Sequence, residues 1–228
     1  MSMRFALVAA SATVLALPAA AQSGRGVGCD ADNAGLTLPA GFCAGVFARG
    51  VPAARHIAVA SNGDVFVISN RGGRGGGTGP ARGVYRLRDA NNDGKADSAE
   101  RVADGIGTGI SIAHGALYAE AGGTGGMIVR YPFREGSTDL SGAVDTIVSG
   151  LTPGGSHFQR NFAIRGDELF VNIGSAGNIC QTGGRGQPPG PPPDPCPELD
   201  TRAGIWKFSA TQKNQTFSSA NRFVKGFR

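Results

Sequence analysis

Three short apolar patterns recur in the same order along the chain, and they restrict the folds that it can adopt. The first occurs at residues 46–50, 101–105, 147–150 and 223–226, the second at 64–67, 116–119 and 168–171, and the third at 83–86, 127–130 and 204–207. Copies of the first pattern are roughly 45–55 residues apart, and a Pro/Gly-rich insert lengthens the last interval. Repeats of about 40–50 residues with several short strands are typical of β-propeller blades.

The repeat predicts an all-β fold. The 38 glycines allow many turns, a hydrophobic content of 40% allows a sizeable core, and no stretch shows a long helical period. We predict a β-propeller with about three to four blades in this chain, the last beginning at residues 222–228. Because propellers usually close with four to eight blades, residues 36–228 are interpreted as an incomplete propeller, the N-terminal part of a longer protein, preceded by a polar segment at 22–35.

Residues 1–21 have the features of a secretory signal peptide. A short basic start precedes an apolar run at 5–17 and an A-A-A cleavage site at 19–21. The run is shorter than the roughly 18–20 apolar residues that a transmembrane helix needs, and no later segment reaches that length. The mature protein is therefore predicted to be periplasmic or secreted, with no membrane span.

The four cysteines agree with export, because disulfides form and persist in oxidising compartments. Four cysteines allow three connectivities. Local pairing, Cys29 with Cys43 and Cys180 with Cys196, is the most economical. Free buried thiols or a zinc site are the alternatives, although the sequence contains no C-x-x-C or Cys/His metal spacing.

The charge distribution argues against a nucleic-acid partner. The formal net charge is +5, and the arginines are scattered rather than clustered. Residues 71–79, R-G-G-R-G-G-G-T-G, resemble the RGG segments of RNA-binding proteins. The tract is short and the protein carries an export signal, so a flexible loop between strands is favoured.

Residues 89–100, D-A-N-N-D-G-K-A-D-S-A-E, match the twelve-residue calcium-loop pattern. Gly94 stands at the sharp turn, and Lys95 would contribute its backbone carbonyl. The predicted ligands are Asp89, Asn91, Asp93, Lys95, Asp97 and Glu100. A strand-like segment precedes the loop, so we expect a structural calcium ion in a β-hairpin loop. The alternative is an Asx-rich turn that binds no ion tightly.

A predicted hairpin near the middle of the chain combines a titratable base with a polar loop. Strands at 161–164 and 169–173 flank a Gly166-Asp167 turn. His157 lies just before the first strand, and a loop with Ser175 and Asn178 leaves the second. Such loops at strand ends commonly carry catalytic residues. Taken alone, a single histidine is more often structural; His114 is expected at the surface, and His56 either packs or lines a pocket.

Several segments together resemble the glucose/sorbosone dehydrogenase family. They are L-T-L-P-A-G-F-C-A-G-V-F-A (36–48), R-H-I-A-V-A-S-N-G-D-V-F-V (55–67), the calcium-type loop, G-G-S-H-F-Q-R (154–160), V-N-I-G-S-A-G-N-I-C-Q (171–181) and R-A-G-I-W-K-F (202–208). The family consists of exported six-bladed β-propeller quinoproteins that use pyrroloquinoline quinone (PQQ). The resemblance covers residues 36–228.

The resemblance implies PQQ- and calcium-dependent oxidation of a sugar, an aldose or a sorbosone-like compound, with a cytochrome or quinone as electron acceptor. His157 matches the general base of the soluble glucose enzymes, and Arg228 falls where the family has an Arg-Asn pair at the quinone. Ser175 and Asn178 are the other expected cofactor contacts. Ser175 replaces an Asp of the glucose enzymes, so the partner that would orient His157 differs.

A second interpretation is a non-catalytic exported propeller of the same fold. It would bind a carbohydrate or a protein partner, and the loop at residues 89–100 would hold a structural calcium ion. Fold alone does not separate this interpretation from the enzyme.

Overall fold

A computed structural model describes residues 28–69, 82–105, 107–121, 126–177, 180, 190–191 and 193–226. Within them, helical structure is limited to short 3₁₀ turns at Asn33–Gly35, Pro197–Asp200 and Ser219–Asn221, and the remaining regular structure is β. The predicted all-β fold is therefore confirmed. The predicted signal peptide and the RGG-like tract lie outside the described residues.

In the part of the chain that the structure describes, thirteen strands, numbered in chain order, form three sheets. The first sheet contains β1 (Ala54–Val59), β2 (Val65–Ser69), β3 (Gly83–Arg88) and β4 (Ser98–Ala103). The second contains β5 (Ile110–Ala113), β6 (Ala116–Ala121), β7 (Met127–Pro132), β8 (Asp145–Ser149) and β12 (Gln215–Thr216). The third contains β9 (Phe162–Arg165), β10 (Glu168–Ile173), β11 (Gly204–Ser209) and β13 (Arg222–Lys225).

The sheets are arranged as successive propeller blades. Each is an antiparallel meander in which sequential strands pair, apart from the short β12, which pairs parallel with the outer edge of β8. The first strands are neighbours in space, since β5 contacts both β1 and β9. Arg222–Lys225 forms β13, which pairs with β11 as the outer strand of the third sheet. The prediction that a fourth blade begins at 222–228 is therefore wrong for the residues of that segment that the structure describes. Residues 46–50 form no strand, although Phe47 accepts a hydrogen bond from the Ala96 amide (2.7 Å).

The second sheet is buried on both faces by its two neighbours. Successive side chains of a strand point to opposite faces, and in β6 both sets are apolar except for the buried Glu120 at its end. Leu117 and Ala119 pack with Phe66 of the first sheet, whereas Tyr118 packs with Trp206 of the third. Since aromatic side chains bury roughly 150–250 Å² each, the contacts between sheets provide much of the hydrophobic stabilisation.

A buried carboxylate ties the first sheet to the second. Asp64, in the turn between β1 and β2, is 3% exposed. It accepts hydrogen bonds from Arg88 Nε (2.9 Å) and Nη2 (2.6 Å) and from the hydroxyl of Thr138 on the β7–β8 connection. Burial opposes ionisation, but the hydrogen bonds from Arg88, Thr138 and Asn62 outweigh it and lower the pKa of Asp64 from 3.8 to about 2.

Both predicted disulfides are formed. Cys29 is bonded to Cys43 and Cys180 to Cys196, which leaves no free cysteine among the described residues. The first disulfide fixes the segment that leads into β1, and the second joins the two ends of the insert after β10. Nowhere in the described ranges is there a helix of the length and apolarity needed to cross a bilayer.

The low pKa of Asp64 predicts an acid-sensitive link between the first two sheets. Because the folded-state pKa lies below the unfolded value, its stabilisation is present above pH 3.8 and is lost as the pH falls towards 2. We expect Asp64→Asn to reduce the free energy of unfolding at pH 7 by about 1–3 kcal/mol. The difference from the wild type should shrink between pH 4 and pH 2 in urea unfolding.

Asp104→Asn is the matched control, because the Asp104 carboxylate also pairs with an arginine but is 86% exposed. Its unfolding curves should follow the wild type at each pH. A difference between Asp64→Asn and the wild type that stays constant from pH 4 to pH 2 would contradict the assignment.

Candidate functional site

The connections between strands divide into two groups at opposite ends of the sheets. At one end, the β4–β5 connection contacts the β8–β9 connection through the Thr108 hydroxyl, 2.6 Å from Asn161 Oδ1. At the other, the β5–β6 turn contacts the β9–β10 turn, with His114 Nε2 3.0 Å from the Gly166 carbonyl. His157 and Ser175 lie at the first end, whereas the calcium-type loop between β3 and β4 lies at the second.

His157 lies in the β8–β9 connection, and that connection packs directly against the chain leaving β10. The Ser156 amide donates to the Ala176 carbonyl (2.8 Å). Gly174 allows the close approach, since a Cβ at this position would lie 2.3 Å from the His157 carbonyl oxygen and 2.7 Å from His157 Cβ. The half-buried His157 is thus held against the end of β10.

Side chains from the end of the β10–β11 connection hold the same loop from another side. Arg202 donates to the Gly154 carbonyl (2.8 Å) and to the Pro153 carbonyl. The Thr152 hydroxyl donates to the Thr201 carbonyl (2.9 Å), and Glu198 accepts from the Ala176 amide (2.6 Å). Burial lowers the pKa of Arg202. Through its hydrogen bonds to the Gly154 and Pro153 carbonyls, the Arg202 guanidinium fixes the backbone before His157.

The other predicted site residues have different positions. Ser175 is 5% exposed, and its hydroxyl donates to the Gly177 carbonyl (2.6 Å), so it stabilises the turn after β10. Asn178 and Arg228 lie outside the described residues. His56 is exposed on β1, and His114 is in the β5–β6 turn, 3.7 Å from an Asp167 carboxylate oxygen.

The calcium-type loop folds around its own polar side chains. Asp89 accepts hydrogen bonds from the amides of Asp93 (3.2 Å) and Gly94 (2.9 Å). Asp97 accepts from the Ala90 amide (2.7 Å). Asn91 Nδ2 lies 3.3 Å from an oxygen of Asp93 and 3.1 Å from one of Asp97, so a donor occupies the space between these two carboxylates.

Glu100, by contrast, lies on β4 and accepts a hydrogen bond from Arg86 Nη2 (2.9 Å). Within the described ranges, the Asp, Glu, His and Cys ligand atoms that gather three at a time within 4.8 Å are those of Cys180, Cys196 and Glu198. The two sulfurs of that group form a disulfide and are not thiolate ligands. The carboxylates of Asp89, Asp93 and Asp97 in the calcium-type loop are not gathered within that distance.

A buried ion pair near His157 was not predicted from the sequence. Glu120, at the end of β6, and Arg160, just before β9, are 4% and 3% exposed, with Oε1 and Nη1 3.4 Å apart. Burial raises the pKa of Glu120, and hydrogen bonds from the backbone of Thr108 and Arg160 oppose that rise. The sequence feature that could have indicated this ion pair is the carboxylate of Glu120 inside the otherwise apolar segment A-L-Y-A-E-A.

Known proteins resemble this chain in structure rather than in sequence. Neither protein-family profiles nor curated sequences gave a match. Among solved structures, a calcium structure of a Trichoderma reesei enzyme of carbohydrate-active enzyme family AA12 superposes with a TM-score of 0.56 at 19% identity, covering 78% of this chain and 41% of that one. The holo form of the pyranose dehydrogenase PQQ domain from Coprinopsis cinerea superposes with a TM-score of 0.56 at 21% identity, covering 78% and 39%.

At 19% and 21% sequence identity, the similarity to these two structures supports the propeller fold alone. The chain spans about two fifths of the length of the two structures, with 41% and 39% of them covered. The described residues form three consecutive blades of such a fold. His157 and Ser175 lie together at one end of these blades.

The contact between Gly174 and His157 predicts a strict requirement for glycine. Gly174→Ala should destabilise the protein by about 1–3 kcal/mol, because the new methyl group overlaps the His157 backbone. It should also shift the His157 imidazole signal in NMR spectra. Gly177→Ala is the matched control, since a Cβ there meets nothing within 4 Å. Equal effects of the two substitutions would show that the packing does not constrain His157.

Proposed function

We propose that the chain is the N-terminal part of an exported PQQ-dependent sugar dehydrogenase, with His157 as general base. The observation that carries this proposal is the placement of a half-buried histidine against the chain leaving β10, at one end of a propeller-like array of sheets. The similarity in fold to the pyranose dehydrogenase PQQ domain supports the choice of chemistry.

In the proposed reaction, the imidazole of His157 accepts the proton of the sugar hydroxyl. A neutral imidazole suits that role near pH 7. When bound, PQQ would supply the two-electron acceptor for the hydride of the carbon that bears this hydroxyl. The hydrogen bonds from Ser156 to Ala176 and from Arg202 to Gly154 would keep the base in position.

The described residues fit the proton-transfer part of this site better than its anion-binding part. PQQ is a tricarboxylate and needs cationic partners. The guanidinium groups of Arg160 and Arg202, which contact the loop that carries His157, bind backbone carbonyls or Glu120. On the family resemblance, we assign the quinone contacts to Arg228 and Asn178, and Ser175 stabilises the turn after β10.

The outer faces of the array support the proposal that further blades follow. On β1, Ala58 packs towards the second sheet, so Ile57 and Val59 lie on the opposite face, where they are 62% and 59% exposed. On the third sheet, Phe170 and the 58% exposed Phe223 stack edge to face, with ring centroids 5.1 Å apart. Apolar side chains on both outer faces are what further packed sheets would cover.

The base is tested in the product of the complete gene, reconstituted with PQQ and calcium and assayed by dye reduction with a panel of aldoses. His157→Gln should lower kcat at least about 100-fold, in the range that general bases contribute. His56→Gln is the control, because His56 is exposed on β1. Sugar binding without dye reduction in the wild type would instead favour the non-catalytic propeller.

We also propose that the loop between β3 and β4 binds calcium through Asp89, Asn91, Asp93, the Lys95 carbonyl and Asp97. Calcium at about 100 times its Kd should stabilise the fold by about 2.7 kcal/mol and raise Tm by about 5–10 °C. Asp93→Ala should abolish the shift. Glu100→Gln should retain it, because Glu100 pairs with Arg86. A wild-type Tm that does not respond to millimolar calcium would refute the site.

A further inference from the structure

Arg160 fastens both ends of the loop that carries His157. Nη1 donates to the Phe158 carbonyl (3.0 Å), one residue after His157. Nη2 donates to the Thr152 carbonyl near the start of the loop and lies 3.5 Å from the Leu151 carbonyl. A single planar guanidinium therefore fixes the separation between the two ends of the loop.

Glu120 connects this guanidinium to the rest of the structure. Its Oε2 accepts hydrogen bonds from the amides of Thr108 (2.9 Å) and Arg160 (3.2 Å). Thr108 belongs to the β4–β5 connection and Glu120 to β6, so two connections between sheets and the second sheet meet at one carboxylate. The Thr108 hydroxyl also bonds Asn161, the residue after Arg160.

Glycine backbone closes the space around the ion pair. A Cβ at Gly107 would lie 1.8 Å from Glu120 Oε2, and one at Gly126 would lie 2.6 Å from Arg160 Cζ. Both glycines have positive φ angles, +119° and +43°. Because the charged groups are enclosed by backbone, neither can move to another rotamer without displacing a neighbouring chain segment.

A buried ion pair is by itself weak evidence for a role in stability, because apolar pairs of similar size often stabilise a fold equally well. An apolar pair could not, however, satisfy the carbonyls of Thr152 and Phe158 or the amides of Thr108 and Arg160. Leaving such groups unsatisfied would let the loop adopt other conformations. What the ion pair supplies is a single backbone geometry on either side of His157.

We propose that Glu120 and Arg160 are positioning residues that fix the His157 loop in its reactive conformation. This proposal rests on the proposed function, because the two residues would position the general base of that reaction. Because the loop geometry can be measured without PQQ or sugar, failure of the proposed chemistry and failure of this proposal give different results.

The test compares the full chain with Glu120→Leu/Arg160→Met, in which both charges are removed together. The exchange rate of the Ser156 amide, which donates to Ala176, reports the loop, and the Val171 amide in β10 reports the sheet. Ser156 should exchange at least tenfold faster while Val171 changes less than threefold. The His157 imidazole signal should shift while those of His56 and His114, the other two of the three histidines, stay unchanged.

Two further variants keep the test decisive. Arg130→Met removes a half-buried arginine that pairs with Asp145 (2.6 Å) away from the loop, and it should leave Ser156 exchange unchanged. Arg160→Lys preserves the charge next to Glu120, but one ammonium group cannot span the Phe158 and Thr152 carbonyls. It should accelerate Ser156 exchange even if the double variant does not fold.

The proposal is overturned if Ser156 exchange and the His157 signal remain as in the wild type in Arg160→Lys or in the double variant. It is also overturned if Ser156 and Val171 accelerate equally, because the ion pair would then stabilise the sheets in general. In the reconstituted enzyme, the same variants should lower kcat at least tenfold with KM within twofold.

Discussion

Burial of the second sheet on both faces is the constraint on which the rest of the structure depends. A strand such as β6 can be buried on both faces only if a sheet covers each of them, and the first and third sheets do so. Water is thereby excluded from two interfaces at once, and the blades are fixed relative to one another. The positions of the loops at the blade ends follow from that packing.

Polar interactions are concentrated where the apolar interfaces end. At one end Asp64 joins Arg88 of the first sheet to Thr138 of the second. At the other, Glu120 and Arg160 join two connections between sheets. In both places a buried charged side chain is hydrogen-bonded to groups from separate elements, and among the described residues Arg160 Nε is left without a partner.

The end that carries Glu120 and Arg160 is also the end that carries His157. In the role proposed for His157, a general base needs a fixed position relative to its substrate. The His157 loop is held from three directions, by the backbone after β10, by Arg202 and by Arg160. The calcium-type loop lies at the opposite end of the sheets, so an ion bound there would act through stability rather than on the reacting atoms.

Much of the fold could be predicted from the sequence because the signals are local. The recurring apolar patterns located β2, β3, β6, β7, β10 and β11, and proximity of the cysteines gave both disulfides. The copies of the first pattern at 101–105, 147–150 and 223–226 fall in β4, β8 and β13, whereas the copy at 46–50 forms no strand and is joined to the β3–β4 loop by the hydrogen bond from the Ala96 amide to the Phe47 carbonyl. Periodicity shows which residues can be buried, but pairing requires a partner.

The features of the candidate site also divide into those set by local sequence and those set by the tertiary structure. The sequence by itself determined that His157 precedes a hairpin and that acidic residues fill the β3–β4 loop, because both features lie within short segments. Only the tertiary structure decided that Glu100 pairs with Arg86 and that Glu120 meets Arg160, 40 residues along the chain. Contacts between side chains distant in sequence depend on the packing of the sheets, and no local pattern encodes that packing.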